Sequence, residues 1–162
     1  MKRTKYLLTL ALLLSLFFTT TNSANEMVND FVYTDLEGEK HRFSDHKGKW
    51  ILVNYWATYC PPCLAEIPDI NRFAQDNKKN FIALGIDAGD SSIDEVKAFK
   101  KKLDIKYPLI SSQEEALLAF GIVEAIPTSY IISPEGEVID KFVGIITYID
   151  LDALVNKKDK KL

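Results

Sequence analysis

WILVNYWATYCPPC, residues 50–63, decides how this chain folds. Trp50–Trp56 is nearly continuously apolar and rich in aromatic and β-branched residues, which suits a strand buried on both faces of a sheet. Cys60-Pro61-Pro62-Cys63 follows, and then Leu64, Ile67, Ile70, Asn71, Phe73 and Ala74 repeat at helical spacing to about residue 78. A C-x-x-C pair between a buried strand and a helix start sits where unpaired N–H groups and partial positive charge stabilise a thiolate. Cys60 is therefore expected to be the more acidic, exposed nucleophile, with a pKa in the range of roughly 3.5–7.5. Cys63, one turn on, is expected to close the disulfide and to resolve a mixed disulfide. Pro61 suits the first helical turn, where its missing N–H costs nothing, and Pro62 removes a second donor.

Outward from this stretch, the pattern alternates. Upstream, Phe31–Thr34 and Lys40–Phe43 read as strands of a hairpin turning at Asp35-Leu36-Glu37-Gly38, followed by a loop carrying Gly48. Downstream, Phe81–Ile86 reads as a second buried strand. Ser91 or Ser92 caps a helix with Ile93, Val96, Phe99 and Leu103 on one face. Tyr107–Ile110 is a candidate third strand, and Gln113–Phe120 a short helix ended by Gly121. Ser129–Ile132 and Val138–Val143 flank the turn Pro134-Glu135-Gly136, and Tyr148–Val155 closes as a helix. Strands alternating with helices, then a terminal hairpin, predict an α/β domain whose mixed central sheet is covered on both sides.

Length and composition agree. The 162 residues suffice for one domain with a real core. Two cysteines alone do not make a disulfide-stapled scaffold. Lys2, Arg3 and Lys5 precede an apolar stretch from Tyr6 to Phe18 and a small, polar segment ending at Ala24, so residues 1–24 read as a signal peptide or N-terminal membrane anchor. The apolar stretch is short for a transmembrane helix, which needs ~20 residues. With no cysteine near Ala24, no lipoprotein anchor is expected there. Residues 25–162 form the expected domain. Losing residues 1–24 removes three of 20 basic and none of 23 acidic residues, leaving a net charge of −6. That balance offers no basic surface for nucleic acid.

The cysteines also admit other readings, as unreactive thiols or as half of a zinc site. Zinc needs two more ligands, and the only histidines, His41 and His46, lie together upstream. They are expected to be surface residues, and no metal or other cofactor is expected beyond the redox-active pair itself. A copper- or zinc-binding chaperone lacks a downstream histidine or methionine to complete a soft-metal site.

The stretch Asn54–Cys63 resembles the active-site signature of the thioredoxin superfamily, and more closely its TlpA/ResA/DsbE-like branch. The resemblance runs over roughly residues 29–155. It takes in the Asp35–Gly38 hairpin, Lys47-Gly48-Lys49, Glu66-Ile67-Pro68 and Ile126-Pro127-Thr128, with Asp87–Phe120 similar to the branch's central insertion. It implies a thioredoxin-like fold with an N-terminal β-hairpin and that insertion. It implies that Pro127 is a cis-proline facing the cysteines and that Ile126-Pro127 presents backbone to substrate. Trp56 becomes core or active-site floor and Tyr59 an exposed flank of the cysteine loop, both placed among the substrate-facing residues. Pro68 becomes a helix-kinking proline. Glu66 becomes a proton-handling carboxylate beside the cysteines, although a solvated helix-face residue is the open alternative. Asn54 stands where ordinary thioredoxins carry a buried Asp. It cannot accept a proton, which leaves Glu66 or water to serve Cys63. Glu66→Gln is expected to alter thiol titration with little effect on folding stability.

The function implied is that of an extracytoplasmic thiol–disulfide oxidoreductase, a dithiol reductase in the periplasm or at the outer face of a bacterial membrane. Its implied partners are protein disulfides, apocytochrome c among them, and a membrane thiol electron donor. The same site run in reverse would be a disulfide oxidase or isomerase. A peroxidase would need Thr three residues before its cysteine, where this chain has Ala57.

Overall fold

The computed structural model describes residues 26–159, so the expectations for residues 1–24 lie outside the described residues. The chain runs β1 (Val32–Thr34), β2 (Lys40–Arg42), a 3-10 turn (Phe43–His46), β3 (Trp50–Trp56), α1 (Pro61–Asp76), β4 (Phe81–Asp87), α2 (Ile93–Lys102), β5 (Leu109–Ile110), α3 (Glu114–Leu118), β6 (Thr128–Ile132), β7 (Val138–Val143) and α4 (Tyr148–Asp159). Phe43, expected at the end of a strand, instead opens the 3-10 turn and packs inward.

Five strands form one mixed sheet in the order β5-β4-β3-β6-β7. β3 and β4 are parallel, as are β4 and β5, while β6 is antiparallel to both β3 and β7. β1 and β2 pair apart from it as an antiparallel hairpin. The period of two along β3 divides its side chains between two cores. Trp50, Leu52 and Trp56 join α1 residues Cys63, Ile67, Ile70 and Phe73 on one face. Ile51, Val53 and Tyr55 meet Phe31, Phe43 and Tyr130 on the other. Both faces of β3 are thus dry, which is why its sequence shows no polar alternation except at Asn54.

Asn54 lies on the α1 face, directly opposite Ser129 of β6. Phe73 of α1 packs edge-on against Phe81 of β4 and Tyr148 of α4, and Arg72 lies over the Tyr148 ring at 4.5 Å. Among the described residues no helix is long and apolar enough to cross a membrane.

Candidate active site

The C-terminal end of β3 delivers the cysteines to the start of α1. A turn from Ala57 to Cys60, closed by Cys60 N–H donating to the Ala57 carbonyl, makes Cys60 the helix N-cap. Cys63 N–H donates to Cys60 Sγ at 3.3 Å, so the sulfur takes one of the helix's unpaired donors. Pro61 and Pro62 occupy the first two helical positions, where no intrahelical donor is needed, and no acidic side chain lies in the first turn. The N-terminal field therefore acts on Cys60 with no acidic side chain in the helix's own first turn to oppose it. The two cysteines are joined by a disulfide, with Cys60 6% and Cys63 0% exposed. Cys60, expected to be exposed, is itself buried in this disulfide form, though less completely than Cys63.

Glu66 is not a solvated helix residue. It is 1% exposed, one turn of α1 beyond Cys63. Its Oε1 accepts from Asn54 Nδ2 at 2.7 Å, and its Oε2 accepts from the backbone N–H of Ile146 at 2.9 Å. Asn54 Nδ2 also donates to Ser129 Oγ at 3.0 Å. Burial pushes the Glu66 carboxyl up to about 7, while the Ile146 and Asn54 donors pull the other way. Asn54 is thus both a core residue and the clamp on the buried acid. The buried acid is on the helix, and the strand position where the resemblance to ordinary thioredoxins implied an Asp holds the amide.

Of the expected substrate-facing residues, Tyr59 is 69% exposed beside Cys60. The Ile126–Pro127 peptide is cis, and the Pro127 carbonyl accepts from Gly144 N–H. Ile126 packs partly against the core that contains both cysteines. Trp56, expected with these residues, is 2% exposed and packs in the core that contains both cysteines, its indole N–H without a partner among the described residues. Pro68 lies inside α1.

The histidines differ from expectation. Both are half-buried around Tyr33, whose ring stacks on each of them. His46 Nε2 bonds to the Tyr33 hydroxyl at 2.7 Å, and His41 Nε2 bonds to Asp35 Oδ2 at 2.8 Å. Burial lowers the His46 pKa. Among the described residues, Asp35, Glu39 and His41 form a group whose ligand atoms lie close together, but it includes neither cysteine.

Several residues near the cysteines carried no expectation. Thr58, central in the turn before Cys60, is buried and reaches Ser91 Oγ at 3.3 Å and Glu95 Oε1 at 3.2 Å. Gly89 packs so tightly on this turn that a Cβ there would lie 2.8 Å from Ala57 Cβ and 2.9 Å from the Tyr59 ring. The run Asp87-Ala88-Gly89-Asp90-Ser91-Ser92, a polar cluster directly after a buried strand, was the available signal.

Comparison with known proteins agrees with this geometry. Residues 24–141 match the AhpC/TSA family. The chain belongs to that family. It is 34% identical over 129 residues to the thiol-disulfide oxidoreductase ResA of Bacillus cereus, covering 79% of this chain and 74% of ResA. The AhpC/TSA chain described here is thus a thioredoxin-fold thiol–disulfide oxidoreductase similar to ResA. A thioredoxin-family thiol:disulfide interchange protein from Chlorobium tepidum has a similar structure, with a TM-score of 0.77 and 29% identity over 85% of this chain and 98% of that one. The exposed lipoprotein thioredoxin of Streptococcus pneumoniae is also similar, with a TM-score of 0.68 and 27% identity over 83% of this chain and 100% of that one.

Proposed function

We propose that this oxidoreductase works as a dithiol reductase of protein disulfides outside the cytoplasm. In the reduced protein, the Cys60 thiolate attacks a substrate disulfide, forming a mixed disulfide and expelling one substrate thiolate. Cys63 then attacks Cys60 Sγ, expels the second substrate thiolate and closes the Cys60–Cys63 disulfide. Two electrons pass to substrate, the Cys63 proton leaves as that thiol attacks, and the two expelled substrate thiolates are free to take up protons. The pair itself is the redox group, and no further cofactor enters the reaction.

The observation that carries thiol–disulfide exchange is the Cys60–Cys63 disulfide at the α1 N-terminus with buried Glu66 one turn on, and the reductase direction is proposed from the likeness to ResA. A buried thiol resists ionisation because its thiolate is poorly solvated. The acceptor proposed for that proton is the buried Glu66 carboxyl one helical turn away, raised to about 7 and held by Asn54 and Ile146. Tyr59, Ile126 and Pro127 are the substrate-facing surface in this reading, and Trp56 packs in the core that contains both cysteines.

The extracytoplasmic placement rests on the leader-like residues 1–24, which serve as signal or anchor, and is supported by the likeness to an exposed lipoprotein thioredoxin. The proposed substrates include the cysteine pair of apocytochrome c, and a membrane thiol donor restores the dithiol.

The test uses an oxidised C-x-x-C-H peptide as substrate. The reduced protein is expected to release two thiols per peptide, and Cys63→Ser is expected to accumulate a mixed disulfide through Cys60. If the reduced protein leaves the peptide oxidised, while the oxidised protein converts the dithiol peptide to its disulfide, the direction is reversed and the chain is an oxidase.

A further inference from the structure

Thr58 touches neither cysteine, yet it occupies the turn that sets where Cys60 lies. Cys60 reaches the N-cap of α1 only because the Ala57–Cys60 turn holds its shape. Of the two residues inside that turn, Tyr59 is exposed and has no anchor of its own in the core. Thr58 is buried, and its hydroxyl meets two side chains of the segment that follows β4, Ser91 and Glu95.

That segment is itself fixed. The fully buried Asp87 carboxylate accepts from Gly89 N–H at 3.1 Å, Ser91 N–H at 2.8 Å and Ser91 Oγ at 3.3 Å. Ala88 N–H donates to the Trp56 carbonyl, tying the segment to the end of β3. Ser92 caps α2 by accepting from Glu95 N–H, which places the Glu95 side chain in the first turn. Gly89 closes the gap against Ala57 and Tyr59 with no room for a side chain. Asp87 therefore holds Ser91 through its backbone N–H, while the Thr58 hydroxyl donates to Glu95 and accepts from Ser91 Oγ when that hydroxyl is not given to Asp87.

We propose that Thr58 is a positioning residue for the Cys60 nucleophile, bracing the Ala57–Cys60 turn against Ser91 and Glu95 of the central insertion. The inference rests on the reading that Cys60 is the attacking thiol. The insertion then does more than lengthen the fold: it locks the N-cap geometry in which the α1 terminus stabilises the Cys60 thiolate. Loosening the turn lets Cys60 leave that position and weakens the stabilisation.

The test is the rate of iodoacetamide alkylation of the reduced protein as a function of pH, with peptide mapping to assign the cysteine modified. Thr58→Val removes the hydroxyl at nearly constant shape, Thr58→Ser keeps it, and Glu95→Ala removes one partner. Thr58→Val is expected to lower the Cys60 alkylation rate at neutral pH about threefold, by moving its titration upward. Glu95→Ala should move it the same way by less, and Thr58→Ser should restore it. Urea-unfolding midpoints of the oxidised variants identify any general loss of structure, which Thr58→Ser rescue separates from loss of the hydroxyl. A Thr58→Val profile that superimposes on wild type, or a Thr58→Ser profile displaced as far as Thr58→Val, overturns the brace while leaving Cys60 as nucleophile. Cys63 modified ahead of Cys60 in the wild type overturns the nucleophile assignment, and the brace with it.

Discussion

Glu66→Gln separates the cost of burying an acid from the benefit of having one. Glu66 ionises at about 7 in the folded protein against an ordinary value of 4.5, because burial disfavours the charged form more than its two donors favour it. An acid whose pKa is raised on folding binds more protons in the native state, so its contribution is fully present below about pH 4.5 and is lost as pH rises through about 7. At 1.36 kcal/mol per pKa unit, the loss totals about 3 kcal/mol, roughly a fifth to three fifths of a typical domain's stability. Glutamine does not titrate, so the variant lacks this term. Its amide also fits the site: Oε1 accepts from Ile146 N–H, and Nε2 donates to Asn54 Oδ1 once the Asn54 amide turns over. The sequence-based expectation of little stability change therefore gives way to a pH-dependent one. The assay is urea unfolding of the oxidised proteins, whose cysteines do not titrate, from acid to mildly alkaline pH. Subtracting the two curves removes the other titrating groups. The difference should grow in favour of Glu66→Gln across about pH 4.5 to 7 and then level off. A difference independent of pH would refute the raised pKa and with it the proposed proton acceptor.

Other perturbations test neighbouring parts of the account. Asn54→Ala removes a donor that favours the ionised form of Glu66, so the stability loss, still beginning near pH 4.5, should extend to higher pH and be larger in the variant's urea titration. His46→Gln should lessen the loss of stability on acidification: burial depresses the folded pKa of His46, so its contribution is present above its ordinary value of 6.5 and fades as pH falls. Gly85→Ala places a Cβ 2.5 Å from Leu109 Cδ2 and 3.1 Å from the Tyr107 ring, and overpacking between β4 and β5 should cost about 1–3 kcal/mol by urea unfolding.

The sheet, its helices and the cysteine pair were legible because they rest on local signals. Trp50–Trp56 had to be buried on both faces, and it is. Prolines at the first positions of α1 marked a helix start, and Ser92 marked another. Glu66 was ambiguous because a glutamate on a helix carries no local sign of burial. Its environment comes from residues 12 and 80 positions away, Asn54 and Ile146, and only the fold brings them together. The histidines misled for the same reason: nothing local says that Tyr33 will lie between them. Thr58 was silent because its partners, Ser91 and Glu95, lie 33 and 37 residues on.

The reduction potential of the Cys60–Cys63 couple decides which way electrons run through this site. A dithiol reductase must hold its electrons at a potential low enough to pass them to substrate disulfides. Equilibration against a glutathione or dithiothreitol buffer, followed by alkylation and mass analysis, gives the value. The account predicts a potential near that of thioredoxin, about −270 mV. A value near that of a strong oxidant such as DsbA, about −120 mV, would contradict it and make the chain a donor of disulfides.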